Sequence, residues 1–116
     1  MGGEQGGTGT MEARVHPRWP TDLEVLYGAR QLARGRALDI SERGIGFTGG
    51  VSYPVGSDIE IHFRQGAPVE WFKARGVVRH CGRDRMGAEF VGLGMFDRTR
   101  IQEMIHRGMT GRGGNA

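Results

Sequence analysis

The sequence predicts an all-β domain, a six-stranded antiparallel β-barrel closed off by one C-terminal α-helix. Three observations carry that expectation. Short segments alternate apolar and polar residues with a period of two, the pattern of half-buried strands. Turn residues separate them at regular intervals: Pro54 with Gly56, Gly66 with Pro68, Gly82 with Asp84. One stretch near the C-terminus changes to helical spacing. Closure of six short strands into a barrel removes exposed sheet edges.

The strands follow in order. Leu23, Val25 and Tyr27 share a face of the first; Leu38 and Ile40 of the second; Ile45 and Phe47 of the third. Ile59, Ile61 and Phe63 form the buried row of the fourth, opposite Glu60 and His62. The fifth sets Phe72, Ala74 and Val78 against Lys73, Arg75 and Arg79, and the sixth sets Met86, Ala88 and Phe90 against Glu89. In the helix, Asp97 is the expected N-cap, with Phe96 stapled onto Ile101. Ile101, Met104 and Ile105 repeat at helical spacing, and Gly108 is the expected stop.

At 116 residues the chain makes one domain. The glycine-rich ends, 1–11 and 110–116, lack periodicity and are expected to be disordered, which leaves 12–109 as the folded unit. The net charge of +3 rests on fifteen arginines and one lysine, Lys73. Arginine's fixed fork suits phosphates and the Hoogsteen edge of guanine, but genomic codon bias explains the same count, so charge alone points only to an anionic partner. A single cysteine, Cys81, rules out an internal disulfide framework and fits a reducing cytoplasm. The four histidines and Cys81 have no metal-ligand spacing, and His80 and Cys81 point to opposite faces of a strand. No segment is long and apolar enough for a membrane span, and Met1 to Met11 lacks the layout of a signal peptide. The expectation is a cytoplasmic protein with no metal, no cofactor and no membrane contact.

Two short elements carry the candidate chemistry. Asp39-Ile40-Ser41-Glu42-Arg43-Gly44 joins the second and third strands. Strand parity puts Asp39 and Ser41 on the same outer side, opposite Leu38 and Ile40. A carboxylate there can accept the N–H and NH₂ groups of a guanine's Watson–Crick edge, yet taken alone the segment also reads as an ordinary polar turn. Upstream, Arg14-Val15-His16-Pro17-Arg18 is followed by Trp19 and Pro20. The prolines forbid a regular helix, so Arg14 and Arg18 stand about 13 Å apart on an extended strap. The R-x-x-x-R spacing recurs at Arg30/Arg34 and along Arg75, Arg79 and Arg83, so by itself it decides nothing.

The order and distance of the two elements decide more. R-x-x-x-R, then a strand, then a hairpin into D-x-S-x-x-G, on an all-β domain of this size, resembles the PilZ domain. The resemblance runs from about Ala13 to about Arg107 and takes in the Pro54-Val55-Gly56 turn and the Gly87-Ala88-Glu89-Phe90 strand. It implies a receptor for cyclic di-GMP. Arg14 and Arg18 match the family's arginines, which grip guanine O6 and N7 and the phosphates. Asp39 matches the residue that reads guanine's Watson–Crick edge. Ser41 matches the serine that bonds ligand, and Gly44 the glycine whose turn admits it. Ala13 departs from relatives that carry arginine there, which leaves one or two ligand molecules per domain open. Ligand recognition is further expected to order the arginine strap and present a new surface to an unidentified partner protein. Residues 12–20 are expected to be mobile without ligand, with Arg14, Arg18 and Arg43 repelling one another.

Competing readings fall on specific residues. Gly44 to Gly49 fits G-x-G-x-x-G, but Val51-Ser52-Tyr53-Pro54 cannot continue as the helix a dinucleotide site needs. Trp71 reads equally as a barrel-end core residue or a partner-facing one, whereas Trp19 reads as an anchor for the strap. The alternative function is a small basic barrel binding single-stranded nucleic acid; it is disfavoured because the aromatics mostly alternate inward rather than lining a groove. No nucleophile–base pair or paired carboxylates are placed for catalysis, so the chain reads as a binding protein rather than an enzyme.

Overall fold

The computed structural model describes residues 18–115, with side chains as far as Arg107. Seven strands form one antiparallel sheet: β1 (Trp19–Pro20), β2 (Glu24–Gly28), β3 (Ala33–Ile40), β4 (Gly44–Gly49), β5 (Asp58–Arg64), β6 (Phe72–Cys81) and β7 (Met86–Val91). The order is β1-β3-β2-β5-β6-β7-β4, and a further β3–β4 pairing closes β2 to β7 into a six-stranded barrel. Among the described residues one helix, α1 (Met95–Asn115), follows the strands.

Alternation makes the core. Leu23, Val25 and Tyr27, the β4 pair Ile45 and Phe47, and the β5 row Ile59, Ile61 and Phe63 are all buried. Phe72, Ala74 and Val78 of β6 and Met86, Ala88 and Phe90 of β7 complete the interior. Phe63 lies 5.0 Å from Phe72 and 5.8 Å from Phe90 by ring centroids, and Tyr27 lies 4.8 Å from Phe47. Two of these pairs are tilted and Phe63–Phe90 is stacked, and such aromatic contacts add to the gain from burying their area. Tyr27 is fully buried, so its hydroxyl needs partners; it donates to the Val51 carbonyl at 2.6 Å and accepts the Val51 N–H at 3.0 Å.

The second strand departs from its expected parity. Leu38 is exposed, and the buried residues of β3 are Ala37 and Ile40. A β-bulge between Ala37 and Asp39 explains the three-residue interval, because the extra residue reverses the inward-outward alternation on one side of it. The start of the helix also differs. Its first backbone bond runs from the Arg98 N–H to the Gly94 carbonyl, which puts Asp97 inside the first turn. There its charge favours the helix dipole instead of capping. Phe96 is 75% exposed and staples nothing, while Ile101 is buried with Met104 and Ile105 against it. Gly108 is helical, so the left-handed conformation of a glycine stop is not used, and α1 continues through most of the glycine-rich 110–116 stretch.

The strap is fixed at its inner end. Trp19 pairs with Ile40 and Pro20 with Asp39, and the Thr21 N–H reaches the Leu38 carbonyl at 3.0 Å. Trp19 and Pro20 are therefore paired with β3, and Arg18 is tied to it through Asp39. Arg14 and the rest of the strap lie outside the described residues.

Candidate ligand-binding site

β1, β3, β4 and β7 meet along one row of outward positions. Pro20 is opposite Asp39, Asp39 opposite Gly46, Gly46 opposite Gly87, and Gly87 opposite His80 of β6. Two adjoining glycines, Gly46 and Gly87, place no side chain in the middle of this row, and the Arg85 guanidinium and Asp39 carboxylate meet over Gly46. Asp39 stands at its edge with only 18% of its side chain exposed, between two arginines. Arg18 Nη1 donates to Oδ1 at 2.7 Å, and Arg85 Nη2 donates to Oδ2 at 2.6 Å. Burial raises the Asp39 pKa, but the hydrogen bonds from Arg85 and Arg18, with their charges, outweigh it and hold the carboxyl below its ordinary value.

A second bridge of the same form stands beside it. Glu89 lies opposite Gly44 and accepts from Arg79 Nε at 2.9 Å and Arg43 Nη2 at 3.0 Å. The Arg79 hydrogen bond is the main cause of its lowered pKa, with Arg43 adding to it against a smaller effect of burial. Arg18 and Arg43 are thus each paired to a carboxylate, which replaces the repulsion expected between them. The two bridges together hold four arginines and two carboxylates, leaving an excess of two positive charges.

The turn between β3 and β4 is built around Ser41. Its side chain is buried, not side by side with Asp39 on the surface as parity predicts. The hydroxyl oxygen accepts the Arg43 N–H at 3.1 Å and the Gly44 N–H at 3.2 Å, while the Ser41 N–H reaches the Gly44 carbonyl at 2.9 Å. Ser41→Ala is expected to leave one buried and one part-buried N–H group, those of Gly44 and Arg43, without that acceptor and to cost about 1–3 kcal/mol, read as a lower denaturation midpoint. Gly44 has an ordinary negative φ, since the positive-φ glycines among the described residues are Gly56, Gly66 and Gly92. Its lack of a side chain serves close packing, because a Cβ would run into the Ala88 carbonyl of β7.

The family model of the PilZ domain matches residues 12–107. The chain belongs to the PilZ domain family. Solved structures agree on the fold. The Bacillus subtilis inhibitor of motility MotI/DgrA matches at a TM-score of 0.70 and 19% identity, over 83% of this chain and 50% of that one. The chain therefore spans about half the length of that protein. The PilZ domain of Escherichia coli YcgR, solved with c-di-GMP, also matches at 0.70, with 13% identity over 87% of this chain and 97% of that one. The PilZ domain of CeSA from a cellulose-synthesising bacterium matches at 0.62, with 12% identity and coverages of 78% and 95%. None of the curated proteins compared matches the chain.

Of the sequence-predicted site residues in this PilZ domain, Arg18 and Asp39 are in direct contact, and Ser41 and Gly44 shape the turn behind Asp39. Arg85 and Gly46 are the two that sequence reasoning missed. Arg85 follows a turn in a chain full of arginines, and its partner is 46 residues away. Gly46 had a signal, since it lies two residues beyond Gly44 on the outward parity of β4, where a bare backbone offers a seat. Trp71 belongs to another feature. It is half-buried with the Arg64 guanidinium 4.2 Å above its ring, in a groove of about 610 Å³ lined also by Glu24, Arg34 and Thr48 but not by Asp39. Among the described residues no helix is long and apolar enough to cross a membrane. No group of three His, Cys, Asp or Glu among them is placed to hold a metal ion.

Proposed function

We propose that this PilZ domain binds cyclic di-GMP on the row that runs from Asp39 across Gly46 and Gly87. The observation that carries the reading is the 2.7 Å contact between Arg18 and Asp39, which joins the two sequence elements at one place. The structural likeness to the YcgR domain solved with c-di-GMP supports it. So does the local excess of two positive charges, which matches a ligand with two phosphates. Asp39 is ionised at neutral pH and accepts the N–H donors of a guanine edge. Arg18, with Arg14 from upstream, takes guanine O6 and N7 and the phosphates. Ser41 and Gly44 hold the loop that presents Asp39.

Binding requires an exchange. Arg18 leaves Asp39 Oδ1 for the ligand, and the carboxylate oxygen it vacates is filled by guanine donors. Both ends of the free ion pair find new partners, so little electrostatic energy is lost. In the same reading the arginine segment upstream of Arg18 becomes ordered on the ligand and presents a new surface to a partner protein in the cytoplasm. The domain acts as a binding module without chemistry of its own.

Calorimetric titration with cyclic di-GMP tests the proposal, with heat and saturation expected. Arg14→Ala and Arg18→Ala are each expected to weaken binding about tenfold or more, the worth of one charge-assisted contact, with the folded spectrum unchanged. Absence of heat, together with unmoved amide resonances at millimolar ligand, contradicts it. Backbone relaxation of residues 12–20 with and without ligand tests the ordering step separately.

A further inference from the structure

Arg85 and Arg18 share one carboxylate but reach it from different places. Arg18 precedes β1, in the arm that the proposed ligand engages, whereas Arg85 is held in the turn between β6 and β7, where its carbonyl accepts the Gly82 N–H at 2.8 Å just before β7 begins. Arg85 lies across Gly46. A Cβ at Gly46 would run into Arg85 Nη2 and stand 2.9 and 3.1 Å from the two Asp39 oxygens. Only a glycine at this position leaves room for the guanidinium and the carboxylate to meet over the strand.

The geometry sets what each arginine can do. A guanidinium facing a free carboxylate tends to take both oxygens in a parallel, two-bond fork. Here Oδ2 is already held by Arg85 at 2.6 Å, so Arg18 keeps a single bond to Oδ1 at 2.7 Å. A singly bonded Arg18 is released more readily than a forked one, and the carboxylate it leaves behind is still neutralised on one side. Arg18 and Arg85 are the charged groups acting on Asp39, and His80 stands beyond Gly87 on the same row.

We propose that Arg85, seated on Gly46, is a positioning residue that keeps Asp39 aimed and keeps Arg18 exchangeable, and so sets the affinity for the guanine edge. The inference rests on the binding reading above, but it acts through Asp39 and not through contact with ligand. Gly46 belongs to the same device, because its missing side chain makes the seat.

Two measurements on the full chain test it. In the ligand-free protein, the Asp39 carboxyl carbon is titrated by NMR in wild type, Arg85→Ala and Arg85→Lys. The alanine variant is expected to titrate at higher pH than wild type, and lysine, which still offers an N–H to Oδ2, close to wild type. Cyclic di-GMP affinity is then measured in a double-mutant cycle. Arg85→Ala is expected to weaken binding about tenfold, the loss of one charge-assisted bond, with Arg85→Lys recovering most of it. In an Asp39→Asn background the same substitution is expected to cost nothing further. Gly46→Ala, whose Cβ meets only side-chain ends that can move aside, is expected to keep the fold and reproduce the Arg85→Ala loss. An equal loss in both backgrounds, or no loss in the wild-type background, overturns the proposal. A wild-type protein that does not bind cyclic di-GMP overturns the function instead, and the carboxyl titration alone then decides the positioning role.

Discussion

Asp39→Ala is expected to weaken cyclic di-GMP binding by about a hundredfold or more. The proposed contact is a carboxylate accepting two donors from one guanine, each worth about 1.5 kcal/mol or more when charged, and about 3 kcal/mol is a hundredfold in affinity. The variant also leaves Arg18 and Arg85 facing each other without their shared anion. The effect on stability depends on pH, and its sign follows from the lowered pKa of Asp39. A carboxyl held below its unfolded value contributes stability above the ordinary aspartate range and loses it as pH falls through the lowered value. Wild type and Asp39→Ala are therefore expected to differ at neutral pH and to converge in strong acid, as read by denaturation midpoints across pH. A variant that melts lower yet binds normally would make Asp39 part of a structural turn and nothing more.

Gly44→Ala is expected to damage the fold more than any single change at the exposed arginines. A Cβ there meets the Ala88 carbonyl, and it would lie 3.3 Å from the Ala88 carbonyl carbon and from Glu89 Cα. These are backbone atoms of a paired strand and cannot turn aside as a side-chain end can. Relief requires β4 and β7 to part near the Gly44–Glu89 pair, beside the Ser41 turn and the Glu89 bridge. The cost is expected to reach about 3 kcal/mol, the upper part of the range for overpacked sites, measured by chemical denaturation. Binding should fall with it, since the loop that presents Asp39 is built on the same turn.

The strands were legible in the sequence wherever alternation ran unbroken. β2, β5, β6 and β7 bury the residues their parity assigns, because each has one wet and one dry face. β3 was misread for a definite reason. Its bulge leaves no mark in composition, so Leu38 took the place of Ala37. Ser41 was assigned to the surface by extending strand parity past Ile40, where β3 ends and the residue folds inward as the acceptor of its own turn. At the site, Asp39 and Arg18 were legible from the order of two short motifs. Arg85 was not, since the contact depends on β3, β4 and β7 lying side by side, and no local pattern encodes that register. The helix start failed in a smaller way. Phe96 and Asp97 fit a staple and cap on paper, but α1 begins at Met95 and carries both within its first turn.

Amide chemical-shift mapping with cyclic di-GMP tests the central claim most directly, because it reports location as well as binding. The largest shifts are expected at Arg18, across Asp39 to Gly46, and at Arg85 and Gly87, with the groove around Glu24, Arg64 and Trp71 unmoved. Saturable shifts confined to that row would bear out the proposed site. No shifts at millimolar ligand, or shifts centred on the Trp71 groove, would contradict it.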